Sequence, residues 1–90
     1  MKSQVTPTFR KLLGALPKEV RPQARAAYRQ FKRDSYHPGL QFKVVDHKKT
    51  LYSARIGKYY RAIGLRETDE LSVWGWIGTH AEYDNLLKKR

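Results

Sequence analysis

The chain has no cysteine, one methionine and only three scattered histidines. Without cysteine there is no disulfide framework, and so few histidines are a poor basis for a structural metal site. No apolar run approaches the roughly 18 residues of a membrane span. The opening MKSQVTPTF lacks the apolar core of a secretory signal. The expectation is a soluble, cytoplasmic protein with no membrane partner. Acidic residues are scarce too: eight Asp and Glu face nineteen Lys and Arg, a net charge of +11.

What is present suffices for one domain spanning residues 1–90, with a single modest core. At 40% hydrophobic and 12% aromatic residues, the chain is too apolar for intrinsic disorder. The basic excess is uneven. Residues 1–45 hold ten basic and two acidic groups, while residues 46–90 hold nine and six. Such a surface attracts polyanions, of which nucleic acid is the commonest. A merely solvated basic surface is the bland alternative. A membrane surface fits less well, because no long apolar face accompanies the charges.

Helical spacing appears first. In TPTFRKLLGAL (residues 6–16), Thr6 can cap, Pro7 suits the first helical position, and Phe9, Leu12, Leu13 and Leu16 recur on one face. A second helix is expected over 18–33, with an apolar stripe of Val20, Ala24, Ala27 and Phe31. Arg21, Arg25, Arg29 and Lys32 line its other side, as a solvated face or a grip on RNA phosphates. Pro22 must then lie within the first turn or so. After the turn DSYHPGL, strands are expected at 40–45, 51–56, 59–66 and 71–77, and a short helix at 81–88. Short connections make the last three strands an antiparallel meander. The expected class is α+β: an N-terminal helical hairpin packed on a twisted antiparallel sheet of about four strands, with a short C-terminal helix. The sheet's other face is expected to be open to a ligand.

The hairpin ARIGKYYRA allows two registers. A two-residue turn pairs Ile56 with Tyr59 and sends Arg55 and Arg61 to opposite faces. A three-residue loop pairs Ile56 with Tyr60 and sets Arg55 beside Arg61. Two neighbouring guanidinium groups are unfavourable unless an anion such as phosphate sits between them. The end of strand 71–77 returns towards Tyr60 and Arg61, bringing His80 with it, and Tyr83 lies one helical turn on. Histidine, tyrosine and two arginines form a plausible kit for cleaving RNA without a metal. A base takes the 2′-OH proton, arginines stabilise the phosphorane, and an acid protonates the departing 5′ oxygen. Imidazole suits either proton role. The structural alternatives are a capping or solvent-facing His80 and a buried Tyr83 ring with its hydroxyl at the rim. His37 reads as a turn residue and His47 as part of an exposed loop. Trp74 and Trp76 are expected to share a strand face and to pack in the core or against the C-terminal helix.

The order LPKEVRPQARAAYRQFK, HPGLQFKVV, LYSARIGKYYRAIGLR, VWGWIGTHAEYDNLL, covering residues 9–87, resembles the RelE/ParE superfamily of bacterial type II toxins. YSARIGKYYRAIG followed by WIGTHAEYD carries most of the likeness. The resemblance implies a helical hairpin on a twisted antiparallel sheet. Its RelE-like members cut mRNA in the ribosomal A site without a metal or cofactor, leaving a 2′,3′-cyclic phosphate. On that basis Arg55, Arg61, His80 and Tyr83 are the candidate catalytic residues. Lys43, Lys49, Lys58 and Arg66 are the candidate substrate-binding cations. Ser53 stands where some members carry a catalytic lysine, so the general base is open, with His80 as the substitute. The family's N-terminal strand is reduced to roughly KSQV. Implied partners are a cognate antitoxin, mRNA on the ribosome and ribosomal RNA. The superfamily also holds ParE-like gyrase poisons that lack the nuclease residues, so a gyrase-inhibiting or non-enzymatic relative is the alternative.

Overall fold

The computed structural model describes residues 2–46, 48 and 50–88. Five strands form one sheet: β1 (Lys2–Val5), β2 (Lys43–Asp46), β3 (Leu51–Ile56), β4 (Tyr60–Thr68) and β5 (Leu71–Thr79). Their spatial order is β1-β5-β4-β3-β2. The helices are α1 (Pro7–Gly14), α2 (Val20–Arg33) and α3 (His80–Lys88). The α+β class and the helical hairpin agree with expectation, and the sheet gains a fifth strand. KSQV forms β1 and pairs with β5 in parallel, so the sheet is mixed. Lys2 N–H donates to the Glu70 carbonyl and Thr6 N–H to the Trp74 carbonyl, fixing both ends of this short edge.

Local chemistry explains the helices. Thr6 Oγ1 accepts from Phe9 N–H at 3.1 Å, and Pro7 opens α1 where a missing N–H costs nothing. Pro22 is the third residue of α2, still inside the turn whose donors have no helical acceptor, so the helix continues past it. Val20, Ala24 and Phe31 are buried on the α2 stripe, and Ala27 packs beside them. They meet Ala54, Ile56, Ala62, Trp74 and Ile77 of the sheet. Burial of such side chains stabilises by about 1.5–3 kcal/mol for each large one. The Tyr28 hydroxyl ties α2 to β1 by donating to the Ser3 carbonyl at 2.6 Å.

Two local expectations change. The strand expected from residue 40 begins only at Lys43, because Pro38–Leu40 form a 3-10 turn and Gln41 is left-handed at φ 46°. His37 is a turn residue, its Nδ1 accepting from Gly39 N–H. The two tryptophans do not share a face. Trp74 pairs with Gly64 while Trp76 pairs with Ile63, adjacent residues of β4 that point opposite ways, and Gly75 is the extra residue of a bulge. Trp74 joins the core, and its Nε1 donates to Ser3 Oγ. Trp76 lies on the other face. His47 falls outside the described residues. No described helix is long and apolar enough to cross a membrane.

Candidate functional site

The β3–β4 hairpin has the three-residue loop. Ile56 pairs with Tyr60 and Arg55 with Arg61, so both arginines share the face away from α1 and α2. Gly57 makes this loop possible at φ 58°, a conformation a side chain disfavours, and a Cβ there would also strike Gln23. The two guanidinium groups diverge rather than stack. Arg55 Nε donates to the Gly57 carbonyl at 2.8 Å. Arg61 Nη2 donates to Ser53 Oγ at 2.9 Å and to the Gln41 carbonyl at 3.0 Å, and Nη1 reaches Gln41 Oε1 at 3.3 Å. All these acceptors are neutral.

Contrary to expectation, this face is not open throughout. α3 folds back over it, and Tyr83 is 3% exposed with its hydroxyl donating to Ser53 Oγ at 3.1 Å. The Arg61 guanidinium carbon lies 5.2 Å from the centroid of the Tyr83 ring. Arg61 itself is 2% exposed, and its Nε is buried without a partner. Burial pushes the Arg61 pKa down. Tyr83 opposes this shift, the neighbouring charge of Arg55 adds to it, and Asp84 draws the other way.

The start of α3 is held by a capping box. Glu82 N–H donates to Thr79 Oγ1 at 3.1 Å, and Thr79 N–H donates to Glu82 Oε1 at 2.8 Å. His80 N–H donates to the Tyr59 carbonyl at 2.8 Å, which ties the helix start to the hairpin tip. The His80 side chain is 58% exposed, its ring centroid 5.8 Å from that of Tyr83. Asp84 Oδ2 is 3.6 Å from His80 Nε2, an i,i+4 pair. Between two exposed groups it orients the ring more than it stabilises the fold.

The four candidate catalytic residues are thus gathered around one end of α3, with Arg61 and Tyr83 inside and Arg55 and His80 towards solvent. The candidate binding cations divide. Lys43 pairs with Ser53 and shares the Arg61 face. Lys58 is on the hairpin loop, its Nζ 5.6 Å from the Tyr59 ring centroid. Arg66 lies on the opposite face, in register with Ala62 and Gly64, because β4 alternates regularly from Tyr60. Lys49 lies outside the described residues. Ser53, Gln41 and Asp84 belong to the cluster and were not expected in those roles. The spacing His80-x-x-x-Asp84 and the pattern Thr79-x-x-Glu82 carried part of that signal. Nothing local marks Gln41. Among the described residues no group of three or more His, Asp or Glu side chains is placed to hold a metal.

A helical hairpin on a twisted sheet, with a C-terminal helix folding back over the Arg61 side of the arginine pair, is an α+β architecture shared with several solved structures. The fold superposes on the antitoxin–toxin complex RelB–RelE of Methanococcus jannaschii with a TM-score of 0.71, at 14% identity, over 92% of this chain and 96% of that one. YafQ of E. coli matches with a TM-score of 0.70, at 14% identity, covering 91% and 96%. HP0894 of Helicobacter pylori matches at 0.63 and 20% identity, covering 90% and 96%. The ParE-like toxin domain model matches residues 18–85, and the chain belongs to that family, within the RelE/ParE superfamily of toxins from toxin–antitoxin systems. No curated protein sequence matches significantly.

Proposed function

We propose that this toxin is a ribosome-dependent endoribonuclease that cleaves mRNA and stops translation, with a cognate antitoxin as its inhibitor. The observation that supports it most is the pairing of Arg55 with Arg61 on the face where His80 is tied to the hairpin tip. Two adjacent guanidinium groups with only neutral acceptors leave positive charge uncompensated where a phosphodiester would sit. In this reading Arg55 receives the scissile phosphate and Arg61 supplies charge from beneath. His80 moves the proton: the 2′ oxygen loses its proton and attacks phosphorus, the bond to the 5′ oxygen breaks, and that oxygen leaves protonated. The products are a 2′,3′-cyclic phosphate and a 5′-hydroxyl end. Tyr83, sealed against Ser53, positions Arg61. Lys43 and Lys58 lie where they could meet flanking phosphates, with salt-dependent affinity.

One observation favours a second reading. Arg61 and Tyr83 are both buried and engaged in the fold, which suits a non-enzymatic relative such as a gyrase inhibitor. The test is a translating extract with a defined mRNA and mapping of new 5′ ends. Codon-related cuts, lost in His80→Ala and Arg55→Ala, support the ribonuclease. Growth arrest with intact mRNA would transfer the function to gyrase or another target. An antitoxin partner is tested by co-purification with the product of the adjacent reading frame.

A further inference from the structure

Arg66 is the candidate cation that the site above does not use, and it belongs to a second cluster. Phe42 stacks on Tyr52 with centroids 4.9 Å apart and planes 17° from parallel. Tyr36 meets Phe42 edge-on at 5.6 Å, and the Arg66 guanidinium carbon lies 5.6 Å from the Tyr52 centroid. Arg66 Nη2 donates to the Asp69 carbonyl, while its Nε is buried without a partner. Hydrogen bonding to the Tyr52 phenol, and secondarily to Tyr36, holds the Arg66 pKa above its ordinary value, so the group stays charged.

Core packing accounts for Phe42, whose ring also contacts Phe31 and Trp74. It does not account for Tyr36, which is 65% exposed. A large ring held in water beside a fixed cation, on a chain of net charge +11, has the makings of a base-stacking surface. Only a single strand offers unstacked base faces to such a ring.

We propose that Tyr36, Phe42, Tyr52 and Arg66 form a second RNA contact, in which a base of single-stranded RNA stacks on the aromatic platform and Arg66 attracts the adjoining phosphate. The platform and the Arg55–Arg61 pair occupy opposite faces, so one strand reaches both by passing over the sheet edge at β2. The segment Gln41–Lys43 suits that path. Gln41 holds Arg61, Phe42 belongs to the platform, and Lys43 shares the Arg61 face at the edge. The platform requires RNA binding but not cleavage.

The experiment uses a short single-stranded 2′-O-methyl RNA carrying 2-aminopurine, which lacks the 2′ nucleophile and so stays intact. Stacking on the wild-type protein should quench the probe. Tyr36→Ala should lose the quenching and weaken binding about tenfold, the scale of one stacked base, while Tyr36→Phe keeps both. Arg66→Ala should weaken binding and flatten its salt dependence. Circular dichroism verifies that each variant is folded, and the exposed Tyr36 keeps the test valid if Arg66→Ala is not. An abasic residue at the probe position should erase the difference between wild type and Tyr36→Ala. Equal quenching and affinity in folded Tyr36→Ala would overturn the proposal. So would unchanged RNA binding with weakened antitoxin capture, which would assign the surface to the antitoxin. Failure to cut mRNA, with quenching intact, would remove the ribonuclease reading and leave the platform standing.

Discussion

Ser53 is the hub through which α3 is docked, and its removal makes a quantitative test. Its Oγ accepts from both Arg61 Nη2 and the Tyr83 hydroxyl, and it is fully buried. Tyr83→Phe deletes one donor and leaves Ser53 satisfied by Arg61, so it should cost about 1 kcal/mol, the net worth of one neutral hydrogen bond. Ser53→Ala is worse. Arg61 Nη2 keeps the Gln41 carbonyl, but the Tyr83 hydroxyl is stranded in a buried site, for about 1–3 kcal/mol. In the double variant no hydroxyl is stranded, so the two losses should not add. The combination should be about 1–2 kcal/mol milder than the sum of its parts. Urea unfolding followed by tryptophan fluorescence measures this, with the core residue Trp74 as reporter. At a slope of about 1–2 kcal/mol per molar urea, a 2 kcal/mol loss moves the midpoint by about 1–2 M. Strict additivity would refute the reasoning, since the two side chains would then not share the bond that docks α3.

Other expectations follow from single features. Thr79→Ala removes one half of the capping box and should cost about 1 kcal/mol, with amide exchange accelerating in α3 before the sheet. Gly57→Ala forces a side chain into a left-handed conformation against Gln23 and should lower the melting temperature by about 4–8 °C per kcal/mol lost. Deletion of Gly75 takes out the extra residue and leaves Trp74 opposite Gly64 and Trp76 opposite Ile63 on their present faces. The variant should therefore still unfold in one cooperative transition, and loss of that transition would refute the bulge assignment. Arg61→Met exchanges a buried cation for an apolar chain of similar length. It should leave stability within about 1–2 kcal/mol while abolishing any mRNA cleavage, and outright unfolding would show that the guanidinium is needed structurally.

The helices were legible because their signals are local. Thr6-Pro7 and the Val20, Ala24, Ala27, Phe31 spacing specify start and buried face without reference to the rest of the chain. The hairpin was legible as a choice between two registers, and the left-handed Gly57 resolves it in favour of the three-residue loop. β1 was harder to see, since four residues of mixed polarity become a strand only when β5 supplies the parallel partner. The bulge was hidden because Trp-Gly-Trp reads as simple alternation, and only pairing with Gly64 and Ile63 reveals the extra residue. The placement of His80 and Tyr83 beside the arginine pair followed from strand direction. The depth of Arg61 did not, because it depends on Gln41 and Ser53 arriving from distant segments. The separation of Arg66 from Arg61 follows from the five-residue interval, an odd step along a regular strand, and was readable in principle.

The burial of Arg61 constrains how any activity could work. Its hydrogen bonds go to a serine, an amide and a backbone carbonyl, and its Nε has no partner, which is a weak arrangement by the measure of stability alone. Among the described residues Asp84 is the carboxylate whose charge is felt there, and it pairs with the exposed His80. A cation kept under an aromatic ring with neutral partners projects its charge outward, towards the half-exposed Arg55 and the solvent-facing His80. An anion arriving at Arg55 therefore meets two positive charges while touching one side chain. That geometry makes Arg55, rather than Arg61, the group whose loss should weaken substrate binding. Arg61→Lys should retain much of the attraction, since the field depends on charge and the planar fork is spent on Gln41 and Ser53.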